Sequence, residues 1–168
     1  MKIREVIQVL GEPLLSGDAE QMVSAVVCDS RSVLPGAVFV CIGGARFDGH
    51  EFIEEAIQRG AILIIAERAV HVPEPIGLLH VGSSREALAR LAHVFHGAAG
   101  DRLHITGITG TNGKTSTAFM LQHLLQSASM KTGLIGTVQY DLGDRVLPAQ
   151  RTTPEADELH AYLGEMQR

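Results

Sequence analysis

The 168-residue chain has no excess of basic residues. Its 14 Lys and Arg stand against 19 Asp and Glu, a net charge of −5 with no basic tract. That balance argues against a nucleic-acid partner, because a phosphate backbone is gripped by clustered Lys and Arg. Long apolar runs are missing too: no window approaches a membrane span, and Met1-Lys-Ile-Arg-Glu5 leads into an amphipathic segment, not the unbroken apolar core of a secretory signal. A cytoplasmic protein with no membrane partner is the expectation. Cysteine is scarce, and Cys28 and Cys41 lie in β-like apolar runs without Cys-x-x-Cys spacing, so both are expected to be reduced core residues. Repeats and low-complexity segments are absent. What is present, 45% hydrophobic residues with ordinary charge density, is the composition of one folded domain or two small ones.

Ile3, Val6, Ile7 and Leu10 recur at helical spacing until Gly11 and Pro13 stop them. Strands are expected over 24–28, 37–42, 61–66 and 78–81, and the second and third are too uniformly apolar to face water. Between them Phe52, Ile53, Ala56 and Ile57 form one helix face closed by Gly60. Leu88, Leu91, Ala92 and Phe95 line another, with Ser83 or Ser84 as its N-cap. The alternation is that of an α/β fold. Gly97-Ala-Ala-Gly-Asp101, small and flexible, is the expected linker, which divides the chain into domains at 1–98 and 99–168. The second is expected to hold a strand at 103–105, a helix to about Ser127, a strand at 133–138, an irregular stretch to Arg151 and a helix from about Pro154. Two parallel strands cannot bury themselves, so residues 99–168 read as the start of a parallel-sheet domain, apparently truncated, and the chain as the N-terminal portion of a longer enzyme.

The segment Gly107-Ile-Thr-Gly110-Thr-Asn-Gly113-Lys114-Thr115-Ser116 carries the most chemistry. A Gly-rich turn between a strand and a helix frees backbone N–H groups for phosphate oxygens, and the helix N-terminus adds partial positive charge. Lys114 would bring a full charge to the terminal phosphates and Thr115 a hydroxyl for Mg²⁺. The chain is therefore expected to bind ATP or a close relative. A strict P-loop has Gly five residues before the Gly of Gly-Lys, where this chain has Ile108, and its glycines instead sit at 107, 110 and 113.

Three further polar loops stand out: Asp29-Ser30-Arg31, Gly44-x-x-x-Asp48-Gly49-His50 and Arg151-Thr152-Thr153-Pro154-Glu155. Each lies where an α/β layer places ligands, and each has a plain alternative: an Asx-type turn at Asp29, a helix-capping turn at Asp48, an N-cap and N1 pair at Thr153 and Pro154. His93 and His96, spaced i and i+3, have no Cys or carboxylate in a recognisable metal arrangement and read as surface or rim residues.

The ordered set of motifs, from Asp-Ser-Arg through Asp-Gly-His, Gly-Thr-Asn-Gly-Lys-Thr and Gly136-Thr137 to Thr-Thr-Pro-Glu, resembles the Mur ligases, specifically the MurE type. The resemblance runs from about Val26 to Gln167. It implies an N-terminal domain that binds the UDP end of UDP-N-acetylmuramoyl-L-alanyl-D-glutamate, with Cys28, Ser30 and the Ala45, Arg46 and Phe47 loop around the uridine diphosphate. It implies a central ATP domain, with Gly110, Thr111, Asn112, Gly113, Lys114, Thr115 and Ser116 at the nucleotide, Lys114 catalytic and Thr115 on Mg²⁺. It implies Thr152 and Thr153 against the muramoyl-dipeptide, although Arg151 stands where relatives often have Asn. The implied reaction activates a carboxylate as an acyl phosphate, which the amino group of a diamino acid attacks. The chain alone is expected not to turn over. A non-catalytic UDP-sugar or nucleotide-binding module, or a ligase of the MurF or folylpolyglutamate synthetase type, is the competing reading.

Overall fold

The computed structural model describes residues 1–44 and 48–168, which form two compact units, Met1–Phe95 and His96–Arg168. The first contains α1 (Ile3–Leu10), β1 (Leu14–Ser16), β2 (Ala25–Val27), β3 (Ala37–Val40), α2 (Ile53–Gln58), β4 (Ala61–Ala66), β5 (Gly77–His80) and α3 (Ser84–Phe95). Its sheet runs β1-β5-β4-β3-β2, with β2 to β5 parallel and β1 antiparallel on the edge.

The unbroken apolar runs of β3 and β4 follow from their central place, because both sheet faces are covered. Phe39 and Cys41 pack with Ile64 and Ala66 against Ile53 and Ala56 of α2. Their alternates Val38, Val40, Leu63 and Ile65 are equally buried on the opposite face, where α3 lies on β2 and β3. At the start of α3, Ser83 Oγ accepts from the Glu86 N–H at 3.3 Å, and a Glu67 carboxylate oxygen from the Ser84 N–H at 2.6 Å. Ser83 is thus the capping serine. β1 goes beyond the sequence reading. Three residues are too few to show alternation, and β1 owes its place to pairing with β5, helped by Ser16 Oγ, which donates to the Ile76 carbonyl at 2.9 Å.

The second unit contains α4 (Lys114–Ser127), β6 (Leu134–Ile135), β7 (Gln139–Asp141), β8 (Val146–Pro148) and α5 (Ala156–Met166). Four expectations change here. Residues 103–105 form no strand, because no described strand lies beside them to complete a ladder, and Ile105 is 63% exposed. The strand expected over 133–138 is cut to two residues, since the chain turns back at once into β7. The stretch expected to be irregular holds β7 and β8, so the described sheet is antiparallel, β6-β7-β8, and among the described residues parallel pairing lies in the first unit. Finally, Gly97–Asp101 is an ordered turn and not an open linker: Ala99 is 1% exposed in a 3-10 turn, and the Arg102 guanidinium donates to the Gly97 carbonyl.

Candidate functional site

Parallel strands deliver all their C-terminal ends to one edge, and in the first unit that edge gathers the polar loops. After β2, the Asp29 carboxylate accepts from the Arg31 N–H at 2.9 Å, an Asx turn opening a 3-10 turn at Ser30–Ser32. Ser30 is buried, and its hydroxyl donates to Glu55 of α2 at 2.8 Å, which leaves the oxygen lone pairs as acceptors. Cys28, two residues earlier, is half-buried and not the core residue expected, whereas Cys41 is buried.

After β3, Gly43 and Asp48 form an isolated bridge and the Gly49 N–H donates to the Ile42 carbonyl at 2.9 Å, closing the neck of the loop. Ala45, Arg46 and Phe47, expected at the uridine diphosphate, lie outside the described residues. Asp48 caps the following turn by accepting from the His50 N–H at 3.0 Å and accepts a second hydrogen bond from His50 Nδ1 at 2.6 Å, while Arg68, just past β4, pairs with its other oxygen. The His50 ring is 8% exposed, and its Nε2 has no partner among the described residues.

These contacts shift two groups. Hydrogen bonds from the His50 ring and backbone, helped by Arg68, hold the Asp48 carboxyl down to about 2. Its folded value lies below the unfolded value of about 3.9, so its stabilising contribution is complete above about pH 4 and is lost as pH falls through about 2. The melting temperature of Asp48→Asn should accordingly fall less between pH 4 and pH 2 than that of the unsubstituted chain. Parallel acid limbs for the two proteins would remove this role. Burial, then the charge of Asp48, pushes the Cys41 thiol up to about 12, so it is not a nucleophile at neutral pH.

In the second unit the glycine loop runs directly into α4. Gly110 and Gly113 adopt φ of 150° and 79°, conformations that a residue with Cβ rarely takes. The first helical bond runs from the Thr117 N–H to the Gly113 carbonyl at 2.9 Å, so the N–H groups of Lys114, Thr115 and Ser116 have no intrahelical acceptor. Lys114 Nζ donates to the Gly110 carbonyl at 2.5 Å, which sets the ammonium over the loop. Thr111, Asn112, Thr115 and Ser116 are exposed. Free donors, a cation and an exposed hydroxyl in this order fit a polyphosphate with its Mg²⁺. Among the described residues no cluster of three or more His, Cys, Asp or Glu could hold a metal ion.

Thr152 and Thr153 are exposed in the bend before α5, whose N-cap is Glu155 and not Thr153. That bend is anchored by Tyr140, whose buried hydroxyl donates to the Arg151 carbonyl at 2.7 Å and accepts its N–H at 3.0 Å. Because β7 and β8 are antiparallel, the start of β7 and the end of β8 share one end of the hairpin, so the Thr137 turn and the Thr-Thr segment emerge together. Sequence reasoning missed Glu55, Arg68 and Tyr140. For Arg68 a signal existed, a charge placed directly after a buried strand. For the other two there was none.

Residues 22–96 match the Mur ligase family, catalytic domain, and residues 108–168 the Mur ligase middle domain. A UDP-N-acetylmuramoyl-L-alanyl-D-glutamate--2,6-diaminopimelate ligase of Clostridium perfringens (strain 13 / Type A) is 39% identical over 99% of this chain and 34% of its own length. The protein of the same name from Geobacillus kaustophilus (strain HTA426) is 48% identical over 84% and 29%. The chain thus spans about a third of the length of these curated relatives. A solved structure of a ligase of that name superposes with a TM-score of 0.72 at 21% identity, over 99% of this chain and 33% of that one, a likeness of fold. The crystal structure of MurF ligase from Thermotoga maritima in complex with ADP gives 0.54 at 33% identity, over 83% and 28%.

Proposed function

We propose that this chain, which belongs to the Mur ligase family, carries the UDP-substrate domain and the nucleotide loop of a cytoplasmic, ATP-dependent ligase that joins 2,6-diaminopimelate to UDP-N-acetylmuramoyl-L-alanyl-D-glutamate. The observation that carries this reading is the whole-chain similarity, 39% identity over 99% of the chain, to a ligase named for that reaction. The amino acid comes from that name alone. Bound ATP with Mg²⁺ would supply the phosphoryl group that turns a substrate carboxylate into an acyl phosphate.

The roles proposed for the chain's own residues rest on the family resemblance, and the geometry of the described residues is compatible with them. The first unit, at residues 1–98 or close to it, holds the UDP end through Cys28, Ser30 and the 45–47 loop, whose neck is braced by Asp48, His50 and Arg68. In the second, the N–H groups of residues 114–116 and the Lys114 ammonium hold phosphate oxygens in place and balance their charge. Thr115 turns its hydroxyl to the metal, and Thr152 and Thr153 offer hydroxyls to the muramoyl-dipeptide. These roles are positional and electrostatic, without acid or base work.

Calorimetry of the 168-residue chain with UDP-N-acetylmuramoyl-L-alanyl-D-glutamate tests the first half. Measurable binding is expected, and Ser30→Ala should weaken it roughly ten- to a hundredfold, the loss of one hydrogen bond to a charged group at about 1.5–3 kcal/mol. An unchanged affinity together with a lowered melting temperature would make Ser30 a purely structural partner of Glu55 and put the UDP site elsewhere.

A further inference from the structure

We propose that Thr137 is a positioning residue that orients the Thr115 hydroxyl toward the metal ion, an inference that rests on the nucleotide-loop reading above. Thr115 Oγ1 and Thr137 Oγ1 lie 3.0 Å apart although the residues are 22 apart in sequence. Thr137 comes from the turn between β6 and β7, closed by the Gly136 N–H donating to the Gln139 carbonyl at 3.2 Å. The same strands are tied to the same helix two turns further on, where the buried Gln122 amide donates to Asp141 of β7 at 2.8 Å. The approach of the two hydroxyls is therefore built by the packing of α4 on the hairpin.

Stability does not explain the pair, since both threonines are exposed and a neutral hydrogen bond open to water contributes little. Orientation does. A hydroxyl that gives a lone pair to a cation must direct its proton elsewhere, and at the second residue of α4 no preceding helical turn offers a carbonyl to receive it. Thr137 Oγ1 accepts the proton instead and leaves the lone pairs of Thr115 facing the loop. Partners of this kind behind a metal-bound group commonly change metal affinity by about 10- to 100-fold.

The test compares the unsubstituted 168-residue chain with Thr137→Val and Thr137→Ser, titrating N-methylanthraniloyl-ADP by fluorescence in excess Mg²⁺ and in EDTA. For the unsubstituted chain Mg²⁺ should tighten binding. Thr137→Val should lose about tenfold in Mg²⁺ and nothing in EDTA, Thr137→Ser should restore the Mg²⁺ effect, and all three should melt at similar temperatures. Equal Mg²⁺ enhancement in Thr137→Val overturns the proposal, as does an equal loss in both buffers, which would place Thr137 against the nucleotide and not behind the metal ligand. If the unsubstituted chain binds the nucleotide in neither buffer, the nucleotide-loop reading itself fails and takes this inference with it.

Discussion

Lys114→Ala should weaken the binding of Mg·ADP by roughly ten- to a hundredfold, the equivalent of about 1.5–3 kcal/mol for a charge-assisted contact, while leaving the melting temperature almost unchanged. The two halves of that expectation have separate grounds. The affinity loss follows from position: Lys114 opens α4, directly behind the left-handed Gly113, with its ammonium above the loop. The unchanged stability follows from its partner. Among the described residues its side chain makes one hydrogen bond, to the Gly110 carbonyl in an exposed loop, so truncation strands no buried polar group. When a polyphosphate binds, the ammonium exchanges that carbonyl for phosphate oxygens of full charge, a stronger acceptor. Titration of the variant with N-methylanthraniloyl-ADP beside a thermal melt measures both. Undiminished affinity would remove the assignment of the loop, and a large drop in melting temperature would show that the lysine mainly holds the turn together.

The parts of this fold legible in the sequence are those whose burial is two-sided or periodic. α1 is readable because Ile3, Val6 and Leu10 repeat along one face and Gly11 ends it, and β4 because a run of only six apolar residues, bounded by Gly60 and Glu67, suits a covered strand better than a helix. β7 and β8 were not readable. Gln139-Tyr140-Asp141 is polar at both ends, and what makes it a strand is pairing on both sides with the anchoring of Tyr140 to Arg151, none of which a local pattern records. The site divides in the same way. The glycine loop announces its chemistry through residue types at fixed spacing, whereas the pairs Ser30 with Glu55, Asp48 with Arg68 and Thr115 with Thr137 are separated by 25, 20 and 22 residues and exist only once the strands are aligned. The Asp48 carboxylate caps its turn, holds His50 and meets Arg68, so the turn chemistry visible in the sequence also ties the segment after β3 to the one after β4.

Phe39→Ala should destabilise the first unit by about 3–5 kcal/mol, a large share of the roughly 5–15 kcal/mol available to a domain of this size. Phe39 is fully buried in β3, a central strand, and packs among Ile53 and Ala56 of α2 and Ile64 of β4. Its removal opens a cavity that those neighbours cannot fill, because all three belong to a strand ladder or to the short helix α2. Phe39→Leu keeps most of the volume and should cost less than half as much. The consequences for ligands should separate as the core does. Every residue of the Phe39 cluster lies within Met1–Phe95, so UDP-N-acetylmuramoyl-L-alanyl-D-glutamate binding should fail under mild urea that leaves Mg·ADP binding by His96–Arg168 intact. Urea titration followed by circular dichroism, with both ligands measured at each step, would show it. Loss of the two activities at one urea concentration would mean that the units unfold together and that the division of the chain into independent domains is wrong.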